Sequence, residues 1–240
     1  MATFVLVHGA WVGGWCWRKV APLLRAAGHD VYTPTLTGIG ERSHLLTPAI
    51  DLDLHTQDIV NVFKYEDLQE VVLVGHSYGG MVIASVSERI PERLAHVVYL
   101  DAFVPFDGEA LLDLGTPERT AWLRQQVAAV GDGWLIPCPP LDSFGLSEAD
   151  AAWLGPLVGS QPLKTFEQPV QLSSPAAQAL AHTFIRCVEY PGFKSQAERA
   201  QAAPGWRYCE IPTSHIAMAT MPERLAELLL EVAAPVNTSA

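Results

Sequence analysis

Basic residues are scarce in this chain. Lysine and arginine number 15 against 26 aspartates and glutamates in 240 residues, a formal net charge of −11. No basic run interrupts the acidic excess, which makes the chain a poor candidate for binding along a phosphate backbone. Charged residues make up only 17% while hydrophobic residues reach 49%, which rules out a disordered chain. Long apolar runs are also missing, and nothing approaches the roughly 18–20 residues of a membrane-spanning helix. Met1–Val7 is apolar but lacks a basic start and breaks at His8-Gly9, so no secretory signal is expected. The four cysteines, Cys16, Cys138, Cys187 and Cys209, form no CxxC pair. They read as free thiols, and a cytoplasmic protein is expected. A chain of this length buries roughly 70–75% of its unfolded surface, so neither disulfide nor metal is required for a core.

What is present is an alternation of short apolar strands and amphipathic stretches. Strands are expected at Thr3–Val7, His29–Thr33, Val71–Val74 and His96–Leu100. Helical patterns fall between them at Trp17–Ala27, Asp53–Tyr65 and Met81–Arg89. Short, fully apolar strands in this rhythm predict an α/β fold with a mostly parallel central sheet covered on both faces. From residue 103 to 181 the rhythm breaks. That stretch offers helical pieces at Pro117–Val130 and Ser147–Leu154, Pro- and Gly-rich turns, and no convincing strand. So long an interruption implies structure and a task of its own, and a helical cap inserted over a site is expected. The core is then residues 1–102 and 182–234, with strands at Thr183–Val188 and Trp206–Ile211 and a helix at Pro222–Val232; 235–240 reads as a polar tail.

Gly75-His76-Ser77-Tyr78-Gly79 is a G-x-S-x-G sequence directly after a strand and directly before a helix. That context predicts a sharp turn whose flanking glycines avoid clashes and lift Ser77 above the carboxyl edge of the sheet. A serine hydroxyl needs a base to act as a nucleophile. Of eight histidines, His215 follows a strand and lands on that same edge. His29, His96 and His182 begin strands and belong to the opposite edge, whereas position alone leaves His44 and His55 open. His76 reads as a packing residue. An acyl-transfer site also needs donors for the developing oxyanion. The N–H groups of Tyr78, after the nucleophile, and of Ala10, after the first strand, occupy suitable places. Trp11, Trp15 and Trp17 read as core. Two carboxylates, Asp101 and Glu189, end strands on the catalytic edge, and both preserve the order serine, acid, histidine. Asp51 and Asp53 read as helix caps, and Asp107-Gly108 as a turn.

These segments resemble the α/β-hydrolase superfamily, within it the branch of plant methyl esterases, hydroxynitrile lyases and small bacterial esterases. FVLVHGAWVGGWCW, VVLVGHSYGGMV, VVYLDAFVP, FIRCVEYPGF and SHIAM carry the resemblance over nearly the whole chain. The resemblance implies Ser77 as nucleophile, His215 as base, and Ala10 and Tyr78 as oxyanion donors. Plant members place the acid where Tyr190 stands here, while other members take it from the preceding strand end; Asp101 is therefore preferred to Glu189. The expected function is a serine-dependent carboxylic ester hydrolase for small to medium apolar esters, working through an acyl-enzyme without metal or organic cofactor. A small-molecule ester is the expected partner, with no nucleic acid and no membrane, and room is left for a homodimer. The alternatives are lactone hydrolysis on the same machinery, cyanohydrin cleavage, and a non-catalytic ligand receptor. Gly9 and Ile216 replace the polar residues that plant lyases of this branch use.

Overall fold

The computed structural model describes residues 1–234; the expected tail at 235–240 lies outside them. The strands in chain order are β1 (Thr3–Val7), β2 (Asp30–Tyr32), β3 (Val71–His76), β4 (Leu94–Leu100), β5 (Leu135–Ile136), β6 (Gln161–Pro162), β7 (His182–Cys187) and β8 (Arg207–Ile211). The helices are α1 (Ala21–Ala26), α2 (Leu52–Tyr65), α3 (Gly79–Arg89), α4 (Pro117–Val130), α5 (Glu148–Leu154), α6 (Lys164–Glu167), α7 (Pro175–Gln178), α8 (Lys194–Ala202), α9 (Ala217–Thr220) and α10 (Pro222–Ala233).

Six strands form one parallel sheet in the order β2-β1-β3-β4-β7-β8. Its central strands are buried on both faces, β3 throughout its length, because helices cover each side of a parallel sheet. The chain runs outward from β1 to β2, returns to β3 on the other side of β1, and continues to β8. That reversal makes the carboxyl ends of β1 and β3 a topological switch point, where open α/β sheets hold ligands. Local chemistry sets the element ends. Asp51 caps α2 by accepting the Leu54 N–H at 2.9 Å, as the sequence predicts, whereas Asp53 lies inside the helix and pairs with Arg89. Thr116 and Ser147 cap α4 and α5 in the same way. The expected helix at Trp17–Ala27 is instead a 3₁₀ turn (Gly14–Lys19) followed by α1, because Pro22 starts a new helix at its first turn.

Between 103 and 181 the chain is mainly short helices, with one departure from expectation. β5 and β6 pair antiparallel through Leu135↔Pro162 and Ile136↔Gln161. Two residues per strand are too few to leave a period-2 pattern in a sequence. No helix of the described residues is long and apolar enough to cross a membrane. All four cysteines are free.

Candidate active site

β3 ends at His76 and α3 begins at Gly79, so two residues make the turn between them. Ser77 takes φ +54°, the left-handed region that L-residues rarely visit. Neighbours hold it there: the Ser77 N–H donates to Leu100 O at 3.3 Å, and Ser77 O accepts from Gly80 and Phe103 at 3.0 and 3.1 Å. A Cβ on Gly75 would lie 2.6 Å from Gly79 O, and one on Gly80 would collide with Phe103 O. The two glycines permit the close approach of strand, turn and helix.

Asp101 follows β4 and is fully buried. Its backbone, with φ +41°, is pinned by an N–H bond to Ile185 O at 2.7 Å. One carboxylate oxygen, Oδ1, accepts from Cys187 N–H at 3.2 Å. The other, Oδ2, lies 2.7 Å from His215 Nδ1. With Nδ1–H donating to Asp101, Nε2 is left as the basic nitrogen. His215 sits in the loop after β8, its N–H donating to Phe144 O at 3.3 Å. Its ring is packed by Phe193 and Tyr190 (both 4.8 Å between centroids) and by His76 (4.5 Å). His76 Nε2–H donates to His215 O at 2.9 Å, so His76 is a support beneath the loop.

Burial lowers the His215 pKa, and the charge of Arg119 acts in the same direction. The imidazole is therefore neutral at neutral pH, the form that accepts a proton. Burial also resists charge on Asp101 and lifts its carboxyl, with the Cys187 N–H opposing the rise.

Ser77, Tyr78, Ala10 and His215 share a cavity of about 470 Å³. A second, tight apolar pocket of about 20 Å³ also reaches Ser77 and His215, walled by Trp11, Leu141, Phe144 and Leu154. The other carboxylate considered from sequence, Glu189, is exposed, with its N–H on Thr213 O. His44 is exposed in a 3₁₀ turn. His55 is buried and accepts from the Tyr78 hydroxyl at 2.9 Å while donating to Thr37 O. His29 accepts from Ala2 N–H, and His96 bonds Thr183, both at the amino edge.

Trp11 does more than fill the core. Trp11 and Trp17 are both buried in the core, as read from the sequence, but Trp11 also lines both pockets. Its φ of +66° is held by three bonds from the 103–181 segment. Trp11 N–H donates to Gln161 Oε1 at 3.4 Å and Nε1–H to Ile136 O at 3.0 Å, while Trp11 O accepts from Gly159 N–H at 2.9 Å. The loop carrying Ala10 is therefore fixed by β5 and β6. A lone glutamine 150 residues away gives no sequence signal of that contact. Among the described residues no group of three or more His, Cys, Asp or Glu side chains is arranged to hold a metal ion.

The buried histidines also tie stability to pH. Burial pushes His8 and His55 down to about 4 and His76 to about 3, from an ordinary 6.5. Below 6.5 the unfolded chain binds protons that these folded histidines refuse, so stability is full above about pH 6.5 and falls as pH drops. His215 and His96 are lowered as well, and Asp101, raised to about 7, works in the opposite sense, offsetting only part of the histidine effect. The expected result is a lower urea midpoint at about pH 5.5 than at about pH 7.5, with a net loss on the order of 2–5 kcal/mol. An unchanged or higher midpoint would contradict it.

Known proteins match this architecture along nearly its full length. The model of the alpha/beta hydrolase family matches residues 4–228. A carbendazim hydrolyzing esterase of Nocardioides sp. (strain SG-4G) is 39% identical over 239 residues, covering 95% of this chain and 98% of that one. Salicylic acid-binding protein 2 of Nicotiana tabacum is 29% identical over 264 residues, covering 98% of each. The solved structure of an extracellular alpha/beta-hydrolase from a Paenibacillus species superposes with a TM-score of 0.86 at 28% identity, covering 96% of this chain and 98% of that chain. With its switch-point serine, parallel sheet and family match over residues 4–228, the chain belongs to the α/β-hydrolase family.

Proposed function

We propose that the protein hydrolyses carboxylic esters through Ser77, with His215 as base, Asp101 as its orienting acid, and Ala10 and Tyr78 N–H as oxyanion donors. The observation that carries this reading is the 2.7 Å bond from Asp101 Oδ2 to His215 Nδ1, on an imidazole that shares its cavity with Ser77. Ser77 Oγ attacks the ester carbonyl while His215 Nε2 takes its proton. The negative charge on the carbonyl oxygen is met by the two backbone donors. His215 returns the proton to the departing alcohol, then activates water against the acyl-enzyme, and Asp101 stabilises the imidazolium in both halves. The esterase relative supports this reading.

The segment 103–181 acts as the cap. It supplies Leu111, Leu112, Leu123, Phe144 and Phe166 to the wall of the large cavity, an apolar lining suited to a small to medium organic ester. The unequal pockets favour a substrate with one compact half and one bulky half. A panel of esters tests this. Esters with a methyl, ethyl or acetyl half are expected to exceed those with two bulky halves by at least about tenfold in kcat/KM. Indifference to both halves would overturn the substrate reading, and no turnover across alkyl, aryl and lactone substrates would overturn the activity.

A further inference from the structure

The large cavity has a polarity that ester hydrolysis alone does not use. Apart from His215, the one side chain of the described residues that brings charge to its lining is Arg119, from the first turn of α4; no aspartate, glutamate or lysine faces it. Arg119 is also exposed, so it stands where the chamber meets solvent. It makes no ion pair among the described residues, and its backbone N–H bonds Thr116 Oγ1. The adjacent Glu118 is exposed and makes no ion pair among them either, and two further acids on the preceding turns are engaged elsewhere. Glu109 is bound by both terminal nitrogens of Arg199, at 2.6 and 2.9 Å, and Asp113 accepts from Ala110 N–H at 2.8 Å.

A second group points the same way. Gln196, from α8, lines the same cavity with only 2% of its surface exposed. Its Oε1 is committed to Val104 N–H at 2.9 Å, which leaves the amide NH₂ without an acceptor among the described residues. Arg119 and Gln196, each with donors that no acceptor among the described residues takes up, thus line a mainly apolar chamber whose lining contains no carboxylate, inside a chain of net charge −11. Unpaired donors beside an apolar wall favour an acceptor with negative charge, because charge-assisted hydrogen bonds are the stronger kind.

We propose that Arg119 and the Gln196 amide form a second recognition subsite for a carboxylate carried by the substrate's bulky half, remote from the ester carbonyl that Ser77 attacks. The substrate class is then the half-ester of a dicarboxylic acid, with an apolar spacer matching the Leu and Phe walls. This inference rests on the ester-hydrolase reading and refines its substrate. Arg119 is a specificity residue, since it meets the substrate away from the reacting bond.

The test compares monomethyl esters of linear dicarboxylic acids of rising length with the matching neutral dimethyl esters. Wild-type enzyme is expected to prefer the half-ester by about tenfold in kcat/KM at one optimal length, and the preference should weaken as salt is added. Arg119→Gln should bring the ratio close to unity through KM rather than kcat, with Arg119→Lys retaining part of it. Gln196→Glu keeps an acceptor for Val104 N–H while placing a negative charge in the subsite, and should also lower the ratio. Removing the Arg119 cation should move the acid limb of the pH profile upward, since that charge disfavours the imidazolium of His215; Asp101, His76 and Tyr190 also face this ring and are unchanged. Binding is read separately, by quenching of tryptophan fluorescence in Ser77→Ala, and should weaken about tenfold when Arg119→Gln is added. A ratio near unity at every length, or an equal loss on both esters in Arg119→Gln, would overturn the subsite while the esterase reading stands. Binding that depends on Arg119, without turnover of either ester, would support the subsite and overturn the esterase reading.

Discussion

Ser77→Ala is expected to remove ester turnover to the limit of detection, a loss approaching six orders of magnitude by the measure of a serine protease, while the protein stays folded. The change deletes one hydroxyl. Alanine carries the same Cβ, so the left-handed backbone at φ +54° is no more crowded than before, and its bonds to Leu100, Gly80 and Phe103 are all main-chain. Stability by urea unfolding should therefore stay within about 1 kcal/mol of wild type. His215→Ala should be as damaging, because nucleophile and base act as a unit. Retained turnover in folded Ser77→Ala would remove Ser77 as the nucleophile.

Asp101→Asn is expected to lower kcat by about four orders of magnitude, as the same change did in a serine protease triad, against at most about tenfold for Glu189→Gln. The geometry explains the contrast. In Asp101→Asn the amide oxygen can still accept from Cys187 N–H, where the carboxylate does so at 3.2 Å, and asparagine tolerates positive φ better than most residues. The amide nitrogen then faces His215 Nδ1 where a carboxylate oxygen stood at 2.7 Å. That nitrogen donates rather than accepts, so it forces the proton to Nε2 and turns the base away from its task. Glu189 is exposed and takes no part in the imidazole's hydrogen bond. Steady-state kinetics of the two folded variants decide the matter, and the reverse ranking would move the acid to the end of β7.

The parts of this molecule that were legible in the sequence are those with local chemistry. Apolar strands with a glycine turn on one side and a helix on the other announce a parallel sheet, and G-x-S-x-G in that setting locates Ser77. Sheet topology alone then separates His215 from histidines that begin strands, such as His96. Asp101 and Glu189 could not be separated in this way, because both follow strands on the same edge. They differ in burial: β4 and β7 are both interior strands, but the chain stays buried at Asp101 just after β4, whereas after β7 it emerges to solvent at Val188 and Glu189. Trp11 is core as its sequence setting suggests, but nothing near it in sequence shows that Gln161, Ile136 and Gly159 grip it. Arg119 and Gln196 belong to α4 and α8, far apart in the chain, and only the folded cavity brings them into one lining. Long-range contacts by single polar residues carry no periodicity and follow no motif.

Covalent labelling puts the nucleophile itself to the test. Wild-type protein treated with a fluorophosphonate should lose its ester turnover in proportion to a single adduct. Peptide mass spectrometry should find that adduct on Ser77, and Ser77→Ala should take up none. An adduct on another residue, or full ester turnover by completely labelled protein, would contradict the assignment of Ser77 as the nucleophile served by His215 and Asp101.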